Sequence, residues 1–526
     1  MHAFLSVAWV LVAITVVHAA QCGRIQWGPC EAALTSLTNG TIECATLPVP
    51  LDYTQPNSSS VLNLELLRVP AATESQGSII LNFGGPGVVN RRTFAGAATD
   101  LPPLISLTHD LVTFDSRGTG NTLPFRCFES PEEQAQITAQ EPDIWETLTL
   151  PTVWSNASNV EIGRRWAAGT AIAERCFEVS EDIGDLLGTA FVARDIMQVV
   201  EALDEDGMLR YWGQSYGTAL GATVAAMFPD KIDRMVIDGV LNPREYFNTF
   251  EFERLASADS AFTAFFEGCV SRPDNCALVV SNVTNTTAED LEHRVWDLIY
   301  HIRFNPIAFD GRLIDYQFLK FGILSSLYNQ ASFPALAAGF AALLAGDLAG
   351  FVRVWDPIIA DFPGTANEQL AAIACSDRSA RASSLEELMP VVERKYALSQ
   401  VFGDLLPALD TVCAQWKFQA KERYEGTFEK ETNFPILVIG NFADAQTPLV
   451  SAQNVSQGFS NSVLLQLNGV GHTSFAHISG CVINATLAYF ENGTLPEPDT
   501  VCEPEAPLFA VPFTEASAVG ATLKMH

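Results

Sequence analysis

This sequence predicts an α/β fold whose mostly parallel central sheet is interrupted by a helical cap inserted before the last strands. Short apolar runs alternate with helical patterns over residues 78–239, helical periodicity dominates 244–432, and strand-like runs resume at 435. Strands separated by helices imply βαβ units and parallel pairing. Because strands return after the helical stretch, that stretch reads as a cap on one domain rather than a second domain.

The first buried run, Ser78-Ile79-Ile80-Leu81-Asn82-Phe83, ends in Gly84-Gly85-Pro86-Gly87. The second, over 110–115, ends in Arg117-Gly118-Thr119-Gly120. Residues 191–203 read as an amphipathic helix, 209–212 as a strand, 216–227 as a small-residue helix and 235–239 as another buried strand. In the insertion, 250–266, 289–302, 316–328, 335–354 and 385–406 show i, i+3, i+4 apolar spacing and read as helices. Residues 435–440 and 462–467 are the returning strands. The expected organisation is a signal peptide over 1–20, a first core part over 21–243, the cap over 244–432 and the remaining core over 433–526. The leading 21–53 segment, tied by cysteines, reads as an extra lobe or brace.

The chain of 526 residues carries 30 basic and 61 acidic side chains, a formal charge of −31. Such a surface repels nucleic acid and anionic membranes, so neither is an expected partner. Residues 1–20 form an apolar stretch ending in Val17-His18-Ala19-Ala20, too short for a full span and suited to signal peptidase cleavage after Ala19 or Ala20. The expected location is therefore extracellular, with no stable membrane association after cleavage. Sequons at Asn39, Asn57, Asn156, Asn282, Asn285, Asn454, Asn484 and Asn492 agree with passage through a secretory lumen. Eleven cysteines lie scattered without paired CxxC spacing or nearby His, which points to disulfides rather than zinc. Pairing in sequence order would join Cys30 to Cys44, Cys127 to Cys176, Cys269 to Cys276, Cys375 to Cys413 and Cys481 to Cys502, leaving Cys22 free.

Gly213-Gln214-Ser215-Tyr216-Gly217 stands between a strand and a helix. A serine nucleophile needs a sharp strand-to-helix turn to protrude, and glycines two positions either side relieve the crowding there. A hydroxyl also needs a base to take its proton. His472, in Gly469-Val470-Gly471-His472 after the last predicted strand, is the candidate, with His477 its close competitor. The acid that orients the imidazole is Asp444, in the loop after the 435–440 strand. Nucleophile, acid and base thus follow the order Ser…Asp…His. An oxyanion needs two pre-aimed N–H donors. Tyr216 N–H is one candidate. Pro86 has no N–H, so Gly85 is the other, with Gly87 next. The Gly84 to Gly87 turn lacks the spacing and the Lys-Ser/Thr of a phosphate-binding loop, and no cofactor is expected.

With these residues in view, the chain resembles the secreted tripeptidyl aminopeptidase-like branch of the proline iminopeptidase family, within the α/β-hydrolase superfamily. The resemblance rests on Trp27-Gly28-Pro29-Cys30, the segment from Cys44 to Tyr53, the Gly84 to Gly87 turn and Asp115-Ser116-Arg117-Gly118-Thr119-Gly120. It extends through Gly213-Gln214-Ser215-Tyr216-Gly217, Ile373-Ala374-Cys375-Ser376-Asp377, Cys413-Ala414-Gln415-Trp416, Asp444 to Pro448 and Gly471-His472. It implies an α/β-hydrolase fold with a helical cap, a triad of Ser215, Asp444 and His472, a tripeptidyl aminopeptidase-like C-terminal region and removal of short peptides from free N-termini. It also nominates Asp377 to pair with the substrate's α-ammonium. The chain departs from the family where Val88-Val89-Asn90 replaces x-Ser-Gly after Gly87, where Phe83 replaces a common Pro, and where Ala445-Gln446 replaces Pro-Val.

Two enzymatic readings follow: an exopeptidase working through an acyl-enzyme on Ser215, or a carboxylesterase or other ester or lactone hydrolase using the same triad. A non-enzymatic binding protein on this fold would be expected to lack a triad member.

Overall fold

The structure is a computed structural model that describes residues 24–145, 154–279, 285–360 and 367–513. The expected signal peptide over 1–20, Cys22 and the Asn282 sequon lie outside the described residues.

Nine of the described strands assemble into the central sheet, and two short pairs stand apart from it. The nine are β1 (Glu43–Pro50), β2 (Val61–Val69), β3 (Ser78–Asn82), β4 (Asp110–Phe114), β5 (Leu209–Gln214), β6 (Ile232–Asp238), β7 (Leu437–Ala443), β8 (Val463–Val470) and β9 (Val501–Cys502). Among the described residues their order is β1-β2-β4-β3-β5-β6-β7-β8-β9. The first two junctions are antiparallel and the rest parallel. Every residue of β3 and β4 is buried, as a parallel sheet covered on both faces requires. Side chains alternate between the two layers. Ile80, Tyr211, Ile237 and Val438 enter the core on one face, while Ile79, Leu81, Trp212, Val236 and Ile439 enter the core on the other.

The leading segment contributes β1 itself and is more than a brace. Pro48 and Pro50 are tolerated there because β1 is the edge strand of the sheet, its outer side bridged by Gly28 at Cys44 and not at the prolines among the described residues.

Helices α1 (Glu161–Ser180), α2 (Thr189–Leu203) and α3 (Tyr216–Met227) cover the first face. Beyond β6 come α4 (Ala258–Ser271), α5 (Ala288–Phe304), α6 (Tyr316–Tyr328), α7 (Phe333–Leu344) and α8 (Leu348–Ala360). They bury their own aromatic core, including Phe262, Phe265, Phe333, Phe351 and Trp355. The single helix expected over 335–354 is two helices. Gly346 adopts φ +75°, and the Asp347 carboxylate accepts the Gly350 N–H at 2.9 Å, so one helix stops and another is capped within four residues. Residues 385–406 likewise divide into α10 (Leu385–Leu398) and the start of α11 (Leu406–Gln415). Of these later helices, α9 (Asn367–Asp377) and α11 pack into the first-face core of the sheet rather than with the aromatic cluster. Then α12 (Leu449–Gly458) and α13 (Gly480–Asn492) flank the last strands. Among the described residues no helix is long and apolar enough to cross a membrane.

The ten described cysteines pair in sequence order: Cys30–Cys44, Cys127–Cys176, Cys269–Cys276, Cys375–Cys413 and Cys481–Cys502. Asn39, Asn57, Asn285, Asn454, Asn484 and Asn492 are exposed, and Asn156 is half-buried.

Arg117 fastens the leading segment to the body. Its guanidinium, fully buried, meets the Asp195 carboxylate of α2 at 2.7 and 2.9 Å and donates to Leu51 O and Pro50 O. Tyr53 Oη–H donates to the same carboxylate at 2.7 Å. Removing one partner strands a buried charge, which costs about 3–5 kcal/mol. Asp195→Ala is expected to lower unfolding stability by about that amount, read as a reduced urea midpoint at unchanged slope.

Candidate active site

At Ser215 the chain reverses from β5 into α3 with φ 54° and ψ −124°, a conformation sparsely populated by side-chain-bearing residues. Three glycines make room. A Cβ at Gly213 would lie 2.4 Å from Gly217 O, one at Gly217 would lie 2.6 Å from Asn82 O, and one at Gly84 would lie 2.6 Å from Gln214 O and 2.9 Å from Ser215 Cβ. The turn after β3 is thereby pressed against the turn carrying the serine. Ser215 is half-buried while the residues on either side of it are buried.

Gly84 N–H donates to Asn82 Oδ1 at 3.0 Å. The next donors, Gly85 N–H and Tyr216 N–H, have no protein partner among the described residues. Tyr216 opens α3, where N–H groups lack intrahelical acceptors. Asn90, which departs from the family pattern, has a structural use: its Oδ1 accepts Phe83 N–H at 3.1 Å and its Nδ2 donates to Phe114 O at 3.2 Å. It clamps the glycine turn between β3 and β4.

Asp444, just past β7, is fully buried. Its Oδ1 accepts Gln446 and Thr447 N–H, each at 2.8 Å, and its Oδ2 accepts Thr447 Oγ1–H at 2.8 Å and Thr473 N–H at 2.9 Å. His472 Nδ1 lies 3.1 and 3.0 Å from the two carboxylate oxygens. Burial opposes ionisation of this carboxyl, but the His472 charge and the ring of donors hold it below the usual carboxylate range. The loop carrying His472 is fixed by His472 N–H to Tyr328 O at 2.9 Å and by the Tyr328 ring, edge-on at 5.3 Å. Asn441 Nδ2 braces it from beneath, donating to Gly471 O at 2.9 Å and Thr473 O at 2.7 Å, on either side of the histidine.

The serine turn and the histidine loop meet directly. Gln214 Nε2 donates to Thr473 Oγ1 at 3.3 Å, so the neighbours of Ser215 and His472 touch. Ser215 Oγ makes no hydrogen bond to His472 in this arrangement; such bonds commonly tighten only when substrate binds. His477, the competing base, is buried and engaged elsewhere, its Nε2 2.6 Å from Ala506 O.

Asp377 does not fit the role assigned to it. It is fully buried, its Oδ1 accepts Thr189 N–H at 2.9 Å, and its Oδ2 accepts Thr189 Oγ1–H at 2.5 Å and Tyr246 Oη–H at 2.9 Å. Thr189 Oγ1 also lies 2.6 Å from Tyr216 Oη. The carboxylate therefore anchors the Tyr216 phenol from below and offers no face to a substrate amine. Burial raises its pKa to about 6, with the Thr189 and Tyr246 bonds opposing.

Sequence reasoning missed Asn441, Thr447 and the contacts of Asp238. The available signal was a polar residue closing an otherwise apolar buried run, as in Met235-Val236-Ile237-Asp238 and Ile439-Gly440-Asn441. Among the described residues no group of three or more His, Cys, Asp or Glu could hold a metal ion.

A side chain at Gly84 would drive backbone against backbone beneath the serine. Gly84→Ala is expected to slow labelling by a serine-directed fluorophosphonate on the order of a hundredfold, measured as the second-order rate of modification.

The family described as "alpha/beta hydrolase fold" matches residues 77–275, and the one described as "TAP-like protein" matches 399–502. The tripeptidyl aminopeptidase of Streptomyces lividans is 27% identical over 512 residues, covering 94% of this chain and 89% of that protein. Serine protease Hip1 of Mycobacterium tuberculosis is 24% identical over 502 residues, covering 91% of each. Carboxylesterase B of Mycobacterium tuberculosis is 27% identical over 500 residues, covering 91% of this chain and 90% of that protein. With its sheet order and serine turn, the chain is an α/β-hydrolase of the TAP-like family.

Proposed function

We propose that this protein is a serine exopeptidase that releases short peptides from free N-termini through an acyl-enzyme on Ser215. The observation that carries the reading is the buried Asp444–His472 pair, at 3.0 Å, on a loop that touches the serine turn. Ser215 Oγ attacks the peptide carbonyl carbon while His472 Nε2 takes its proton. Asp444 accepts the Nδ1–H bond and stabilises the imidazolium. The carbonyl oxygen, now negative, sits against Gly85 and Tyr216 N–H. His472 then gives its proton to the leaving amine, and water resolves the acyl-enzyme by the same steps in reverse. Relatives named tripeptidyl aminopeptidase and serine protease support a peptide substrate.

A second reading, hydrolysis of carboxylic esters, is favoured by one observation. Asp377, the carboxylate nominated for the substrate amine, is sealed beneath Tyr216. A relative named carboxylesterase fits the same reading.

A tripeptidyl-arylamide, its N-acetylated counterpart and an aryl ester separate the two. The exopeptidase cleaves the free-amine peptide at least about tenfold faster than the acetylated one, since the lost ammonium contact is worth roughly 1.4 kcal/mol or more; turnover of the ester alone sinks it. Ser215→Ala abolishes fluorophosphonate labelling. Asp444→Asn retains the fold and lowers kcat by about 10⁴.

The five disulfides suit an oxidising compartment. We place the mature protein outside the cell, with its N-terminus at Ala20 or Gln21. N-terminal sequencing of the exported chain checks this, and a retained Met1 contradicts it.

A further inference from the structure

We infer that Asp238 is a positioning residue for hydrolysis, locking the loop that carries His472 onto the turn that carries Ser215. The inference rests on the reading of Ser215 as nucleophile and His472 as base.

Asp238 is the last residue of β6, between the serine strand β5 and the acid strand β7. It reaches both halves of the site at once. Its backbone carbonyl accepts Ser215 N–H at 3.2 Å. Its carboxylate, fully buried, accepts Ser474 N–H at 2.9 Å on Oδ1 and Ser474 Oγ–H at 2.7 Å on Oδ2, two residues past His472. The neighbouring Gly239 lets Thr473 settle on the end of β6, where a Cβ would lie 2.8 Å from Thr473 Cγ2. One residue thus sets the height of the imidazole above the hydroxyl. Asp444 fixes the ring's rotation and Asn441 the carbonyls of the loop, but neither holds Ser215.

The carboxylate is also a second negative charge beside the base. The charged groups that face it are Asp444 from the loop after β7 and His472 from the loop after β8; Gln214 and Ser474 are neutral. Burial, helped by Asp444, pushes its pKa up to about 6, while the Ser474 bonds and His472 pull the other way. Above that pH it is an anion placed to favour the imidazolium formed when Ser215 yields its proton. A purely structural acid would hold the loop without touching the pH dependence.

Asp238→Asn keeps an acceptor for Ser474 N–H and removes the charge. Ser474→Ala keeps the charge and removes one bond. Both are made in the full chain, checked for folding by near-UV circular dichroism, and compared with wild type in fluorophosphonate labelling and in the pH profile of kcat/KM for an aryl ester or tripeptidyl-arylamide. Asp238→Asn is expected to lower kcat on the order of 10- to 100-fold at little changed KM. Its acidic limb moves to lower pH by about half a unit, because the imidazolium has lost a negative neighbour. Ser474→Ala is expected to slow labelling about fivefold to tenfold with the acidic limb in place. A folded Asp238→Asn with wild-type kcat and an unmoved acidic limb overturns the inference. If that variant does not fold, wild-type labelling of Ser474→Ala overturns it. A wild type that fluorophosphonate never labels removes the serine-hydrolase reading and this inference together, whereas a labelled wild type with unaffected variants removes this inference alone.

Discussion

Three backbone segments pass within van der Waals contact of one another at Ser215, and the rest of the site is built around that crowding. Strand β5 must reverse into α3 over one residue, and the turn after β3 must lie across the reversal. Only glycine fits at 84, 213 and 217, because each missing Cβ is replaced by a neighbour's main chain. Tyr211 Oη–H secures the reversal by donating to Gly217 O at 2.7 Å. The strain stored at Ser215 is held by this packing. Its result is geometric: the turn after β3 and the first residue of α3 are held against Ser215 by packing.

The acid–base half is assembled differently, by hydrogen bonds to buried charge rather than by steric exclusion. Asp444 gathers three backbone N–H groups and the Thr447 hydroxyl before it meets His472. A carboxylate satisfied to that extent stays ionised despite complete burial, which an isolated one would not. Thr447 Oγ1 also lies 3.1 Å from His472 Nδ1, so it buttresses the ring as well as the acid. The Asp377–Thr189–Tyr216 chain does the equivalent beside the serine turn, fixing the first side chain of α3 from beneath.

How much of this was legible in the sequence follows from how local each cause is. The serine turn, its flanking glycines and the alternating buried strands are local patterns, and the structure has them where the pattern lies. The break at Gly346-Asp347 was also local, but the apolar spacing on both sides of it was read as continuous. Asp377 was misjudged for another reason. Its neighbours in space, Thr189 and Tyr246, are 188 and 131 residues away, and nothing in Ile373-Ala374-Cys375-Ser376-Asp377 tells whether the carboxylate faces a pocket or the underside of α3. Asp238 and Asn441 were passed over because each lies at or near the end of a strand, Asp238 last in β6 and Asn441 two residues before the end of β7, and such a position carries no sign of which loop it will receive.

The departures from the family pattern can now be sorted by what they touch. At Ala445-Gln446 the bonds to Asp444 come from the Gln446 and Thr447 main chain, which any non-proline residue at 446 supplies, so the setting of Asp444 is indifferent to the exchange. The side chain is another matter. Gln446 Oε1 accepts from Arg254 at 3.0 Å and thereby holds a guanidinium beside the acid loop, where the family's valine could not. At Asn90 the exchange is absorbed by a clamp between β3 and β4 that leaves Gly84 pressed on the serine turn. Both changes keep the reacting geometry and alter what surrounds it. The exchanges this chain makes within the family pattern therefore fall on the supports of the serine turn and of the acid loop, and Ser215 and the Asp444–His472 pair keep their places.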